Sequence, residues 1–228
     1  MKIKAILFDL DNTLLDFMKF KKEATKAAAS AMIKAGLAGE KNELSEKLFE
    51  FYLSHGIESN DAFEKYLLKE FGAVDCRVLA AGVNAYLKEK YLHLLPYPHT
   101  AETLAQLKKM GIKLAVVTDG VRLKAWMRLC EAGLDGYFDA VVTHEDTGKK
   151  KPSKEPFLEA CRQLKIEPAQ CLMVGDWPER DIEGAKALGM KTCIVKYARA
   201  AGGPAGADYE IQNPKEILNI IGENRRCA

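Results

Sequence analysis

Ile3-Lys4-Ala5-Ile6-Leu7-Phe8-Asp9-Leu10-Asp11-Asn12-Thr13 joins an apolar run to two aspartates and indicates an α/β fold. Ile3 to Phe8 has the length and apolar content of a buried parallel strand, and such strands present the loops at their carboxyl ends to ligands. Asp9 and Asp11 follow at once. Because two carboxylates so close repel each other and lose hydration, the pair indicates a compensating cation or hydrogen-bond network. For this segment alone, an Asp that simply caps the next helix remains an alternative.

Three more apolar runs further along the chain also end in polar residues. They are Leu114 to Val117 before Thr118-Asp119-Gly120, Ala140 to Thr143 before Lys149-Lys150-Lys151-Pro152, and Cys171 to Val174 before Gly175-Asp176-Trp177-Pro178-Glu179-Arg180-Asp181. Each run alone is weakly specific, because Gly-Asp after a strand is common and a lysine run is usually a solvated surface loop. Together they predict four polar strand ends at one edge of a parallel sheet.

The ordered set of motifs resembles the haloacid-dehalogenase-like (HAD) superfamily of aspartate-nucleophile phosphohydrolases. The signature of that superfamily is Asp-x-Asp-x-Thr, an apolar strand ending in Thr or Ser, a Lys, and Gly-Asp-x-x-x-x-Asp. The matching residues here are Asp9, Asp11, Thr13, Thr118, Lys151, Gly175, Asp176 and Asp181. The match runs in order from residue 3 to about residue 195, and it leaves the region from about 16 to 94 outside the motifs.

The resemblance implies a phosphoric monoester hydrolase that uses Mg²⁺. A phosphate monoester brings about two negative charges into a pocket that already holds several carboxylates, so positive charge must be supplied. Mg²⁺ prefers oxygen ligands and commonly binds through a few carboxylates together with substrate phosphate and water. The implied ligands are the Asp9 carboxylate, the Asp11 backbone carbonyl and the Asp176 carboxylate. Asp181 is expected behind them or bound through water.

The same resemblance implies the roles of the reacting side chains. Asp9 would attack phosphorus and form an aspartyl-phosphate intermediate, which splits one displacement into two. Asp11 would protonate the leaving oxygen and then take a proton from the water that cleaves the intermediate. Thr118, Asp119 and Lys151 would bind the phosphate, and Lys151 would also stabilise the charge on Asp9.

Two of these assignments compete with ordinary structural roles. Thr118 could be a strand-end threonine that bonds its own loop. Lys149 and Lys150 are indistinguishable from Lys151 by composition, and only Pro152, which matches the Lys-Pro of the family, selects Lys151.

The remaining pattern predicts a split α/β core with an inserted helical domain. Residues 1–15 and 96–228 alternate strands and helices, which predicts a doubly wound, Rossmann-like parallel sheet. Residues 16–95 carry four apolar helical faces and predict a helical-bundle cap domain, whose aromatic residues are expected in the bundle core. The four faces contain Phe20, Ala24, Ala27, Ala28, Ala31 and Ala35; Leu44, Leu48, Phe51 and Tyr52; Phe63, Tyr66, Leu67 and Phe71; and Leu79, Val83, Tyr86 and Leu87.

Within the core domain, the pattern also predicts individual elements. Strands are expected near 113–118, 139–143, 171–175 and 191–195, and helices near 100–110, 121–132, 154–164, 180–188 and 214–221. The stretch 198–206 is rich in Ala and Gly and predicts a surface loop.

Composition argues against several other classes of protein. A net charge of +2 on 228 residues gives no reason to expect nucleic acid or a membrane surface as a partner. No segment approaches the roughly 20 apolar residues that span a bilayer. The six cysteines form no Cys-x-x-Cys pair, so reduced thiols and a cytoplasmic location are expected. The expected partner is a small-molecule phosphate monoester, and the chain is expected to be a monomer or a homodimer.

Other activities on the same core remain as alternatives. A haloacid dehalogenase would not need Asp11 to protonate a leaving group, so Asp11 favours phosphate chemistry. A sugar phosphomutase returns the phosphoryl group to its substrate, and a non-catalytic binding protein would be expected to lose at least one motif residue. The whole chain looks like HAD hydrolases associated with glyceraldehyde 3-phosphate or phosphoglycolate. A nucleotide monophosphatase also stays open, because a cap aromatic facing the site could stack a base.

Overall fold

A computed structural model describes residues 2–198 and 206–226. They form two compact units, one made of Met1–Asp16 with Leu95–Ala228 and the other of Phe17–Leu94. The predicted loop at 198–206 lies almost wholly outside the described residues.

The first unit is built on a parallel sheet of six strands in the order β3-β2-β1-β4-β5-β6. The strands are β1 (Ala5–Phe8), β2 (Lys113–Val117), β3 (Ala140–Val142), β4 (Cys171–Gly175), β5 (Lys191–Val195) and β6 (Tyr209–Ile211). β1 lies between β2 and β4, so the chain builds one half of the sheet and then returns to build the other. Ligands of such sheets bind outside the carboxyl ends of the strands where the order reverses. The predicted doubly wound parallel sheet is confirmed, and its switch point lies at the ends of β1 and β4.

The burial of the central strands explains why the sequence predicts them well. Every residue of β1 and β4 is buried, as is all of β2 except Lys113. A strand covered by helices on both faces reads as a continuous apolar run rather than an alternating one. One core cluster joins Leu7, Ala115 and Met173 of these strands to Phe157 and Leu164.

The helices of this unit are α5 (Thr100–Lys109), α6 (Arg122–Glu131), α7 (His144–Thr147), α8 (Lys154–Leu164), α9 (Gly184–Lys186) and α10 (Glu216–Arg226). A π-helical segment, Pro178–Glu183, leads directly into α9, and short 3-10 turns lie at Asp135–Tyr137 and Pro168–Gln170. These elements connect strand ends to the next strand and cover the sheet.

The second unit contains four helices, α1 (Phe17–Lys34), α2 (Lys41–His55), α3 (Ala62–Phe71) and α4 (Cys76–His93). The rings of Tyr52, Phe63 and Tyr86 contact one another in its core, with centroids 5.4 to 6.1 Å apart. The prediction that the aromatic residues of this unit form the bundle core is confirmed for these three and for Tyr66, but it is wrong for Phe71, which is 43% exposed. On the predicted fourth face, however, Val83 and Leu87 are exposed.

Several elements of the first unit differ from the sequence prediction, among them the short helix α7, which was not predicted. The region expected as one helix at 180–188 is the π-helical segment followed by the short α9, and Pro178 at its start sets the first turn. β6 was not predicted, because Tyr209–Ile211 is a short edge strand with little apolar character. The last helix begins at Glu216 and runs to Arg226.

Close packing between α8 and α9 predicts a contrast between two glycines. A Cβ at Gly184 would lie 2.8 Å from Cε2 of Phe157 and 2.8 Å from the backbone oxygen of Pro152. Gly184→Ala should therefore lower the free energy of unfolding by about 1–3 kcal/mol.

Gly222 is the matched control inside α10, because a Cβ added there would have no heavy atom of the described residues within 4 Å. Gly222→Ala should raise the free energy of unfolding by about 0.5–1 kcal/mol through helix propensity. Urea unfolding of both variants measures the difference, and equal effects would contradict the packing described here.

Candidate active site

Asp9 is the first residue after β1 and lies at the switch point of the sheet. Its N–H donates to the carbonyl of Val174 in β4 at 2.9 Å, which fixes the backbone where the strand ends. Only 7% of the residue is exposed. The Thr13 hydroxyl lies 3.4 Å from Asp9 Oδ2, so the turn after β1 also supports this carboxylate.

Lys151 places a buried ammonium group between two acids. Its Nζ lies 2.5 Å from Asp9 Oδ1 and 2.7 Å from Asp181 Oδ1. Burial alone would lower the pKa of Lys151, but the carboxylates of Asp181, Asp9 and Asp119 outweigh burial and raise it. The ammonium therefore stays charged. Of the three consecutive lysines, Lys151 is the buried one, whereas Lys149 and Lys150 are exposed.

Asp176 and Asp181 complete a cluster of carboxylates with Asp9. One carboxylate oxygen from each of the three lies within 4.8 Å of the other two, and all three residues are buried. Burial, together with the negative charges of Asp9 and Asp181, raises the pKa of Asp176 to about 8. Burial also raises the pKa of Asp181, to about 6, although the Lys151 ammonium opposes that shift. Such a cluster could hold a metal ion.

The local backbone explains how Asp181 reaches this cluster. The π-helical turn returns its side chain to the end of β4, where Oδ2 accepts a hydrogen bond from the N–H of Trp177 at 3.0 Å. A Cβ at Gly175 would lie 2.3 to 2.5 Å from three atoms of the Asp181 side chain. Gly175 is therefore required for the carboxylate to occupy this position.

Thr118 and Asp119 follow β2 at the neighbouring strand end. The Thr118 hydroxyl accepts a hydrogen bond from the N–H of Gly120 at 3.2 Å, so it does bond its own loop, while still carrying a proton of its own. Asp119 Oδ1 accepts from the N–H of Lys151 at 2.9 Å, and Oδ2 lies 3.6 Å from Arg180 Nη1. The Asp119 side chain thus anchors the Lys151 loop, and the binding of phosphate by Thr118, Asp119 and Lys151 stays a prediction.

Asp11 lies two residues beyond Asp9 and pairs with an arginine that the motifs do not include. Arg128 Nη1 lies 2.5 Å from Asp11 Oδ2. The Arg128 side chain is 4% exposed, whereas that of Asp11 is 25% exposed. The structure therefore brings Asp9, Thr118, Lys151, Asp176 and Asp181 to one edge of the sheet, with Asp11 beside them and paired to α6.

These side chains carry an excess of negative charge. The acids are Asp9, Asp11, Asp119, Asp176 and Asp181, and the cations are Lys151, Arg128 and Arg180. Five carboxylates against three cations leave a formal charge of about −2 before any ligand binds. A site of this kind favours a divalent cation and would repel an anionic substrate without one.

Residues 3–189 match the family model described as haloacid dehalogenase-like hydrolase. The chain belongs to this family. The prediction from the ordered motifs is thus confirmed, and the matched segment contains every motif residue from Asp9 to Asp181.

Relatives of this HAD-like hydrolase share nearly its whole length. It is 37% identical to the glyceraldehyde 3-phosphate phosphatase of Methanopyrus kandleri, with 97% of this chain and 98% of that protein covered. It is 30% identical to the phosphoglycolate phosphatase of Aquifex aeolicus, with 96% and 97% covered. The crystal structure of a HAD phosphatase from Thermococcus onnurineus is 31% identical, with a TM-score of 0.67 and 96% and 98% of the two chains covered. The prediction of an enzyme of the phosphoric monoester hydrolase class is confirmed by this family and these relatives.

Two residues near the HAD-like site, Arg128 and Tyr197, are not part of the sequence motifs. Arg128 occupies the buried face of α6 together with Ala125 and Leu129. A charged residue on the apolar face of a predicted helix was the one feature of the sequence that could have indicated its role. Tyr197 donates its hydroxyl to the carbonyl of Thr13 at 2.8 Å and contacts the ring of Tyr97. Nothing in the local sequence connects Tyr197 to a turn 184 residues away.

The raised pKa of Asp176 predicts how the metal-free HAD-like enzyme responds to pH. Because the folded pKa of about 8 exceeds the ordinary value of 3.8, the folded state loses stability as pH rises from about 4 through 8. Asp176→Asn removes this loss. Its advantage over wild type in unfolding free energy should grow by up to about 3 kcal/mol from pH 6 to pH 8, measured by urea unfolding in chelator.

Asp208→Asn is the matched control for this pH dependence. Burial raises the pKa of Asp208, but the bonds from Lys191 and Thr192 outweigh burial and lower it, so the carboxylate stabilises the fold above pH 4. Asp208→Asn should lower the unfolding free energy equally at pH 6 and pH 8. An Asp176→Asn effect that is also equal at the two pH values would contradict the cause assigned to the Asp176 shift.

Proposed function

We propose that this protein is a Mg²⁺-dependent phosphatase that hydrolyses a small phosphate monoester through an aspartyl-phosphate at Asp9. The observation that carries the proposal is the ion pair of Lys151 with Asp9, set against Asp176 and Asp181 at the switch point. A buried carboxylate held by a permanent cation is restrained in one orientation, which is what a nucleophile requires.

The donor set fits Mg²⁺. Carboxylate and carbonyl oxygens are the ligands that this ion prefers. Asp176 Oδ1 is buried and has no hydrogen-bond partner among the described residues, as expected for an oxygen that binds a cation. The carboxylates of Asp9 and Asp176 and the backbone carbonyl of Asp11 would hold the ion, with Asp181 behind them. When bound, Mg²⁺ would offset negative charge on the phosphoryl oxygens and orient the phosphate.

Each reacting side chain of the site has a separate role in the proposed reaction. Asp9 attacks phosphorus, and its bond to phosphorus forms as the bond from phosphorus to the ester oxygen breaks. Asp11 gives a proton to the departing oxygen and later takes one from the attacking water. Lys151 and the Thr118 hydroxyl, together with N–H groups of the Thr118–Gly120 loop, stabilise the phosphoryl oxygens.

The relatives suggest the class of substrate. Glyceraldehyde 3-phosphate and phosphoglycolate are the substrates in the names of proteins 37% and 30% identical to this chain over nearly its full length. We infer that one of these small three- or two-carbon phosphates is the substrate. A phosphomutase and a nucleotide monophosphatase are outcomes that the experiment below distinguishes.

The proposal also covers the roles of the two domains, the cellular location and the partners. We infer that residues 1–15 and 96–228 are the catalytic core domain and that residues 16–95 are the cap domain of the family. Five described cysteines are free thiols, which supports a reducing, cytoplasmic location. The described residues contain no helix long and apolar enough to cross a membrane. A monomer or a homodimer, acting on a small molecule without nucleic acid, remains the prediction.

Phosphate release from a substrate panel tests this function. The panel compares glyceraldehyde 3-phosphate, phosphoglycolate, glucose 1-phosphate and a nucleoside monophosphate, each with Mg²⁺ or with chelator. We expect Mg²⁺-dependent release, fastest for the first two. Asp9→Asn should reduce the rate by more than about 10³-fold without unfolding the protein, because the amide is a poor nucleophile.

Asp135→Asn, the same substitution at an exposed acid, is the control and should leave the rate unchanged. Release that survives Asp9→Asn would show that another group is the nucleophile. An isomerised sugar phosphate in place of free phosphate would indicate a phosphomutase, and a preference for the nucleotide would indicate a nucleotidase.

Trp177 offers a readout of metal binding that does not depend on activity. It adjoins Asp176, its N–H donates to Asp181, and its ring lies 4.0 Å from the Arg180 guanidinium. Trp126→Phe leaves Trp177 as the one tryptophan of the chain, which has two. The fluorescence of this variant should change on Mg²⁺ titration, and Asp176→Asn should weaken the response by at least about tenfold in Mg²⁺ concentration. No change with Mg²⁺ would argue against a metal at this cluster.

A further inference from the structure

Arg128 is a buried arginine whose side chain reaches one of the reacting carboxylates. It lies on α6, and its Nη1 is 2.5 Å from Asp11 Oδ2, across 117 residues of sequence. The Arg128 side chain is 4% exposed. Burying this group is costly unless it is paired, so the ion pair with Asp11 explains how the fold tolerates the charge.

The surroundings of Arg128 hold its guanidinium in place. Ala125 and Leu129, on the same face of α6, are buried, which anchors the helix against the core. α6 begins two residues after Gly120, and a Cβ on Gly120 would lie 3.9 Å from Arg128 Nη1. The guanidinium therefore lies beside both the Asp11 carboxylate and the loop that follows β2. Its planar fork is better suited to orienting a carboxylate than a lysine ammonium would be.

We propose that Arg128 is a positioning residue that binds Oδ2 of Asp11 and so orients the protonated Asp11 carboxyl group, which gives its proton to the leaving oxygen and becomes the carboxylate. This inference rests on the proposed function. A general acid must come within about 2.6–3.2 Å of the oxygen that it protonates, and an aspartate has two side-chain torsions to restrain. The contact between Arg128 Nη1 and Asp11 Oδ2 restrains the position of that carboxyl group. Because Arg128 is itself buried and Asp11 is 25% exposed, Asp11 meets the substrate and Arg128 acts through it.

A purely structural ion pair is the rival explanation, and the leaving group distinguishes the two. Departure of an alkoxide from an alkyl phosphate needs a proton, whereas nitrophenolate departs without one. The ratio kcat/KM reports only the steps up to departure of the leaving group. Loss of Asp11 positioning should therefore reduce kcat/KM for an alkyl phosphate far more than for p-nitrophenyl phosphate, and a general loss of structure should reduce both alike.

The experiment compares kcat/KM of Arg128→Gln, Arg128→Lys and wild type on p-nitrophenyl phosphate and on the best alkyl phosphate of the panel. Arg128→Gln should lower the alkyl value by about tenfold or more and the nitrophenyl value by less than about threefold. Arg128→Lys keeps the positive charge without the planar guanidinium, so it should fold even where Arg128→Gln does not. Its kcat/KM should likewise fall more for the alkyl phosphate than for p-nitrophenyl phosphate. In an Asp11→Asn background, Arg128→Gln should cause no further loss for the alkyl phosphate.

Arg122→Gln is the matched control, because Arg122 lies on the same helix but is exposed and pairs with Asp146 at 2.6 Å. It should change neither value. Equal losses on both substrates, or a further alkyl loss in the Asp11→Asn background, would overturn the role of Arg128 and leave the phosphatase intact. Phosphate release that survives Asp9→Asn would instead refute the proposed function, and this inference with it.

Discussion

The Lys151 ammonium between Asp9 and Asp181 is the interaction on which the site depends. Carboxylates this close and this buried would repel one another and take up protons, as the raised pKa values of Asp176 and Asp181 show. Lys151 offsets part of that repulsion, at 2.5 and 2.7 Å from two of the acids. Asp119 secures the Lys151 backbone from the neighbouring strand end. The lysine is therefore placed by three separate segments of the chain, and its position follows from the sheet.

The topology of the sheet supplies that arrangement. β1 lies at the centre, with β2 on one side and β4 on the other, so motifs far apart in sequence end at one edge. The same topology leaves room for an insertion after β1, because the chain needs only to return to the start of α5 before forming β2. Residues Phe17–Leu94 form a separate compact unit with an aromatic core of its own. Sequence change in that unit can thus proceed without disturbing the pairing of β1 with β2 and β4.

The sequence predicts well those features whose cause is local or whose motif is ordered. β4 and β5 are predicted to the residue, because a buried parallel strand is a continuous apolar run bounded by turns. Features caused by distant partners are not predictable in this way. Arg128 reads as one more charge on an amphipathic helix until Asp11, 117 residues away, is placed beside it. The π-helical turn at Pro178–Glu183 likewise has an ordinary helical composition, and what distinguishes it is the return of Asp181 to β4.

The acids of this site fall into two groups with different consequences for chemistry. The Asp119 carboxylate accepts a hydrogen bond from the Lys151 backbone N–H, and the Asp181 carboxylate pairs with the Lys151 ammonium. Much of the charge of these two acids therefore serves to hold Lys151 in place. Among the described ion pairs, Asp9 shares Lys151 with Asp181 and Asp176 has none, so the uncompensated charge lies on Asp176 and on the pair of acids that share one lysine. A phosphate dianion entering such a site alone would double an excess of about two negative charges, whereas a divalent cation entering first would cancel it. The electrostatics therefore favour a site that accepts its anionic substrate only together with a cation, and without the cation Asp176 is mostly protonated at neutral pH.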